Sequence, residues 1–184
     1  MTAEPAGVGA AFLAESRRYL TREYLVKIGT CVALVSDADL WWRPNEQSNS
    51  IGNLLLHLAG NVRQWIVAGV GGAPDARHRQ SEFDERGPLP RGEVLRRLEA
   101  AVADADRVLA SLRVEQLTAP RTIQGRDVTV FHAIFHVVEH FAMHTGQISY
   151  LTKQRTGRDL GFYRDAGGLA VPEWEQQRGS RPER

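Results

Sequence analysis

Apolar residues recur at helical spacing in four long segments of the chain, and turn-forming residues separate these segments. The first segment covers residues 8–35, and the second starts near residues 48–50, where hydroxyl and amide side chains can cap a helix, and stops at a run of glycines. The third and fourth cover residues 91–112 and about 129–155. Each segment presents one apolar face, so the pattern predicts an all-α fold, a four-helix bundle.

The segments between and after the four helices allow further structural predictions. Residues 39–47 form a short connector with two neighbouring tryptophans, and residues 71–90 form a long loop, which in a compact domain is often functional. A short hairpin is expected around residues 118–128. After the fourth helix we expect a short irregular C-terminal extension whose polar end, residues 173–184, is flexible. We expect a single domain over residues 1–184, with an ordered core at about 8–165.

Charge and composition exclude several classes of function. Lys and Arg total 23 against 22 Asp and Glu, and no basic run forms a phosphate-binding patch, so nucleic acid is not an expected partner. The start of the chain lacks a signal peptide, and no apolar run approaches the ~20 residues needed to cross a bilayer, which predicts a cytoplasmic protein without a membrane partner. Cys31 lies among apolar residues and is expected to be a buried small hydrophobe.

Histidine is concentrated in the fourth helix. Of the six histidines in the chain, His132, His136, His140 and His144 are spaced four apart. Each step of four turns about 40° around a helix, so neighbours share a face while the outer pair diverges by about 120°. An adjacent pair can therefore hold one metal ion. Buried imidazoles need partners for both ring nitrogens, which a metal or a polar network can supply.

The second helix carries a matching polar stripe on an otherwise apolar surface, and its members are Asn53, His57, Gly60, Asn61 and Gln64. If the two stripes face each other, the one histidine of this stripe and a pair from the fourth helix offer three nitrogen ligands, which suit zinc, nickel, iron or copper. A glycine inside a helix costs about 1 kcal/mol, which indicates close approach of another element or room for a ligand. Ordinary hydrogen-bonded histidines remain the alternative. An inverted zincin pattern with Glu139 as base also matches, although a helix so rich in histidine produces such matches by chance.

The second helix contains the stretch LLLHLAGN, and the fourth contains HVVEHFAMHTGQI. These two stretches resemble the DinB-like, or YfiT-like, superfamily of bacterial four-helix-bundle metalloproteins. The stretches SNSIGN, SEFDER and TGRDLGFY are similar to one poorly characterised branch of it. The resemblance implies a metal site made of His57, His140 and His144. It leaves His136 as an additional histidine that could be a ligand, a catalytic base or a neighbour of the ligands.

The resemblance also implies a function. Characterised relatives include transferases that use low-molecular-weight thiols such as bacillithiol or mycothiol, so we expect one divalent metal, preferably zinc with nickel, iron or manganese as alternatives, and conjugation of a thiol to an electrophilic small molecule. His136 is the expected catalytic residue, and Asn61, Gln64 and Gln147 are expected near the thiol. Many relatives are homodimers. A hydrolase that uses metal-bound water, and a non-catalytic metal-binding module of the stress response, remain alternatives.

Overall fold

The first predicted helix is continuous but contains a π-helical stretch. The structure, a computed structural model, describes residues 7–174 of the chain. Helix α1 (Val8–Arg18) passes through a π-helical segment (Tyr19–Tyr24) into helix α2 (Leu25–Leu34) without leaving the helical backbone region. A short helix that the sequence did not predict, α3 (Asp37–Trp41), follows at once. A reciprocal capping box between the Ser36 and Asp39 side chains starts α3.

The second long helix begins where the hydroxyl and amide residues predicted it. Helix α4 (Ile51–Val62) starts with a capping box, in which Ser50 Oγ accepts from the Asn53 backbone N–H, and it continues as a π-helical segment (Arg63–Val70). The following linker is not structureless, because it contains helix α5 (Arg79–Asp84). This short helix was not predicted, and it approaches α4.

The second half of the chain contains two long helices and two hairpins. Helix α6 (Arg91–Ser111) is followed by a 3₁₀ turn, and strands β1 (Pro120–Ile123) and β2 (Arg126–Thr129) form the predicted antiparallel hairpin. Helix α7 (Val130–Thr156) starts at a Thr129 cap and ends at Gly157. The C-terminal extension was expected to be irregular, but strands β3 (Tyr163–Asp165) and β4 (Ala170–Pro172) pair within it. Residues 175–184, most of the tail expected to be flexible, lie outside the described residues.

The long helices enclose one apolar core, as the all-α prediction requires. Helix α4 packs against both α6 and α7, and α2 packs against α7. Residues from every long helix are almost completely inaccessible, among them Leu20, Ile28, Leu55, Leu98, Phe141 and Ile148. Cys31 is buried among them, as predicted, so its thiol is shielded from reagents in solvent. Within residues 7–174, no helix is both long enough and apolar enough to span a bilayer. The packing of α4 on α7 brings the two polar stripes face to face.

Candidate metal centre

Three histidines from two helices meet where α4 packs on α7. His57 on α4 points its Nε2 atom at His140 on α7, with 3.1 Å between the two Nε2 atoms. The Nε2 atom of His144, one turn further along α7, is 3.2 Å from that of His140. Each of the three rings offers one nitrogen, and these nitrogens lie within 4.8 Å of one another. Among the described residues, the structure brings together the three histidines expected to form the metal site.

The spacing of these nitrogens suits a tetrahedral ion. Zinc binds imidazole nitrogen at about 2.0–2.1 Å, so two nitrogens on one tetrahedral zinc are about 3.3 Å apart. The observed separations of 3.1 and 3.2 Å are close to that value. Three imidazoles are also a ligand set that leaves a fourth position for water or another ligand. The residues present therefore fit a divalent transition metal with an open coordination position.

Two of the three rings have an acceptor at the nitrogen that faces away from the cluster. His57 Nδ1 lies 2.9 Å from Glu82 Oε2, and His144 Nδ1 lies 2.7 Å from Gln147 Oε1. A carboxylate and an amide oxygen can only accept, so each Nδ1 carries the proton and each Nε2 keeps its lone pair for the cluster. His140 Nδ1 is buried and has no hydrogen-bond partner in the part of the chain that the structure describes. The three rings are therefore supported unequally.

The site favours neutral imidazoles. Burial, followed by the proximity of the other histidines, lowers the pKa of His140 to about 3. Burial also lowers the pKa of His144, against the opposing hydrogen bond to Gln147. An imidazole must be unprotonated at the nitrogen that binds a metal. These two rings therefore meet that requirement at neutral pH.

A buried ion pair from the linker completes the surroundings of His57. Arg77 donates from Nε to Glu82 Oε1 at 2.7 Å and from Nη2 to Glu82 Oε2 at 2.8 Å. Burial opposes ionisation of Glu82, but the hydrogen bonds from Arg77 and His57 outweigh it and lower the pKa of this carboxyl. Sequence reasoning assigned no role to either residue. The only signal was that Glu82 lies in SEFDER, one of the stretches that carried the family resemblance.

Gly60 and Asn53, both in the polar stripe of α4, allow the 71–90 linker to lie close to His57. An added Cβ on Gly60 would overlap Glu82 Oε1, so only glycine allows the carboxylate to lie against the helix at this turn. The Asn53 amide donates to the backbone carbonyls of Glu82 and Glu85, at 2.8 and 2.9 Å. The close approach that Gly60 indicated is therefore that of α5. The SNSIGN stretch both caps α4 and fixes SEFDER beside it.

The remaining predicted residues surround the three histidines. His136 is half-buried, with its ring 4.1 Å from that of Trp65 and its Nε2 3.5 Å from Asn61 Nδ2. Burial lowers its pKa. Gln64 accepts from Arg77 Nη1 at 2.9 Å and donates to Asp75, so it supports the linker. His132, Glu139 and the linker's His78 are exposed.

Two buried polar atoms on residues that contact His136 have no hydrogen-bond partner among residues 7–174. They are the Asn61 side-chain oxygen and the Trp65 indole nitrogen, on residues that are 3% and 2% exposed. Buried polar groups of this kind normally form hydrogen bonds. Asn61 lies on α4 and Trp65 on the π-helical segment that continues it, and both residues contact His136 in the first half of α7.

Comparison with known proteins places the chain in a family and a fold. No curated protein sequence matches it. A DinB-like protein from Bacillus cereus has a similar structure, with a TM-score of 0.62, 17% sequence identity, and coverage of 78% of this chain and 90% of the other. A DinB-like protein from Bacillus subtilis gives 0.58 and 17%, with coverage of 79% and 93%. The family model described as "Protein of unknown function (DUF1572)" matches residues 7–162. The chain belongs to the DUF1572 family and has the DinB-like fold.

Proposed function

We propose that this protein is a metal-dependent enzyme that conjugates a low-molecular-weight thiol to an electrophilic small molecule. The observation that carries the proposal is the convergence of ring nitrogens of His57, His140 and His144 within 4.8 Å of one another. The Nε2 atom of His140 is 3.1 and 3.2 Å from those of the other two, close to the separation of two nitrogens on one tetrahedral zinc ion. Zinc is the preferred ion because it accepts three imidazoles and keeps a fourth position open. Nickel, iron and manganese are the alternatives.

Each side chain around the centre has a distinct task in this proposal. His57, His140 and His144 would hold the divalent ion, which when bound would lower the pKa of a coordinated thiol and orient its sulfur toward the electrophile. The neutral His136 ring takes the thiol proton on Nε2, which lies 3.5 Å from the side-chain amide of Asn61. The sulfur then forms its bond to the electrophilic carbon, and the leaving group departs with the electron pair of the broken bond.

The polar neighbours divide into two groups. Asn61 is the neighbour assigned to the thiol cosubstrate, because its amide lies 3.5 Å from His136 Nε2 and its side-chain oxygen has no hydrogen-bond partner among residues 7–174. Gln147 and Gln64 act through other residues: Gln147 holds His144, and Gln64 holds Arg77. Two of the three residues expected near the thiol are thereby assigned supporting roles in our proposal.

Homodimer formation is part of the proposal, and it is supported by an exposed apolar side of α7. Phe131, Phe135, Met143 and Tyr150 are 45%, 55%, 47% and 64% exposed and lie within about 120° on that helix. A cluster of exposed large apolar side chains is typical of an interaction surface. Analytical ultracentrifugation should show a dimer for the wild-type protein and a monomer for Phe135→Glu. A wild-type monomer at micromolar concentration would reject this part.

Two measurements test the proposed enzyme. Metal analysis of the purified protein should find about one transition-metal ion per chain, and His140→Ala should lose it. Metal-loaded protein is then incubated with monochlorobimane and a panel of thiols. We expect metal-dependent conjugation with at least one thiol, with chloride as the leaving group. Metal binding without conjugation across the panel would instead support a non-catalytic binding module, and absence of metal from the wild-type protein would reject both functions.

A further inference from the structure

We propose that Glu82 and Arg77 are positioning residues of the three-histidine centre. In this proposal Glu82 fixes His57 as the tautomer that carries its proton on Nδ1, and Arg77 fixes the orientation of the Glu82 carboxylate. The inference rests on the proposed metal binding. In this arrangement the 71–90 linker supplies no metal ligand, but it determines which ring nitrogen of His57 carries the lone pair.

Two groups approach His57 Nδ1, and they demand opposite tautomers. Glu82 Oε2 is 2.9 Å away and can only accept a proton, whereas Arg77 Nη2 is 3.2 Å away and can only donate one. Arg77 Nη2 already donates to Glu82 Oε2 at the shorter distance of 2.8 Å. A deprotonated Nδ1 at 2.9 Å would set its lone pair against a carboxylate oxygen. The geometry therefore favours Nδ1–H donating to Glu82, with the lone pair on Nε2.

The ion pair is held too firmly for the carboxylate to turn away. The Arg77 and Glu82 side chains are 4% and 10% exposed, and two parallel hydrogen bonds join them. The Glu82 backbone carbonyl accepts from Asn53, so its main chain is tied to α4 as well. The hydrogen bonds from Arg77 to the carboxylate and from Asn53 to the backbone together hold Glu82 Oε2 toward His57.

Glu82 also differs from the partners of the other two rings. His144 donates to Gln147, a neutral and exposed side chain on its own helix, and His140 Nδ1 has no hydrogen-bond partner among the described residues. Glu82 is therefore the charged acceptor of the set. A carboxylate on the far nitrogen of a metal-bound histidine makes that ligand more basic and fixes its ring. Removal of Glu82 should weaken metal binding more than removal of Gln147.

The test uses full-length variants Glu82→Ala, Glu82→Gln and Arg77→Met. Zinc affinity is measured by competition with a chromophoric chelator at pH 7.5, and ¹⁵N NMR of the metal-free protein reports the His57 tautomer. We expect Glu82→Ala to bind zinc about 10–100-fold more weakly. Glu82→Gln should lose less, because it retains an acceptor oxygen, and Arg77→Met should fall between wild type and Glu82→Ala. In the wild-type protein His57 should carry its proton on Nδ1, and Glu82→Ala should shift it toward Nε2.

Glu93→Ala is the matched control, since Glu93 also accepts from two arginines, Arg96 and Arg97, but lies on α6. Its zinc affinity should stay within about twofold of the wild type. Circular dichroism establishes that each variant is folded, and Glu82→Gln serves if Glu82→Ala is not. An unchanged zinc affinity in folded Glu82 variants, or a wild-type His57 protonated on Nε2, overturns the proposal. A wild-type protein that binds no metal rejects the proposed function instead, and the tautomer measurement still decides the role of Glu82.

Discussion

The two halves of helix α7 carry the same side chain at the same spacing, and their surroundings differ. In the first half His132 is exposed, and His136 packs on Trp65 beside Asn61. In the second half His140 and His144 meet His57 through their Nε2 atoms. Helix α4 and its π-helical continuation run antiparallel to α7 here. His57 contacts the second pair, and Asn61 and Trp65, further along the chain, contact His136 of the first pair. Helical periodicity thus places the four histidines along one side of α7, whereas packing against α4 determines which two of them meet His57.

The largest expected effect compares His140→Ala with His132→Ala. His140 Nε2 is the atom closest to both other histidines, so its loss should reduce zinc affinity about 1000-fold, more than loss of an indirect contact such as that of Glu82. His132→Ala removes an exposed ring, and its affinity should stay within about twofold. Chelator competition measures both. Similar losses in the two variants would mean that the whole stripe binds metal.

The second prediction concerns His136, which stands between the two pairs. If it is the base of the proposed reaction, His136→Ala should lower kcat/KM for thiol conjugation about 100-fold while zinc affinity changes less than twofold. The pH dependence of kcat/KM, together with a zinc titration, separates these effects. A parallel loss of zinc would instead make His136 a ligand. The variant therefore distinguishes the roles that the sequence left open.

The sequence predicts the four long helices, the β1–β2 hairpin and the buried Cys31, because each depends on local periodicity, caps or turn residues. The choice of His57, His140 and His144 as the metal-binding set follows from the same periodicity together with the family resemblance. Helix α5 was not predicted, since its six residues are shorter than two helical turns and its position depends on Asn53 and Arg77. The role of Glu82 was missed for the same reason: a contact with His57 across 25 positions has no local signature.

A third and smaller effect should follow from Gly60→Ala, which changes no charged or metal-binding side chain. Alanine in place of glycine would by itself stabilise a helix by about 1 kcal/mol. At this position the new Cβ overlaps Glu82 Oε1, whose carboxylate is held by Arg77, so the contact with His57 should be disturbed. We expect about tenfold weaker zinc binding in a chelator competition. Gly29→Ala is the control, because among residues 7–174 its Cβ meets nothing within 4 Å apart from the local backbone of its own helix, and its zinc affinity should not change.

The smallest effect should be confined to the first half of α7. Thr129 caps this helix by accepting from the backbone N–H of His132 at 3.1 Å, so Thr129→Ala should lower the free energy of unfolding by about 1 kcal/mol. Urea unfolding of the metal-free protein measures this change, and Thr129→Ser, which keeps the hydroxyl, should recover most of it. Zinc affinity should remain unchanged, because packing against α4 rather than the distant cap holds His140 and His144. A loss of zinc affinity greater than threefold would show that fraying at the cap reaches the second half of the helix, and the two halves would then behave as one unit.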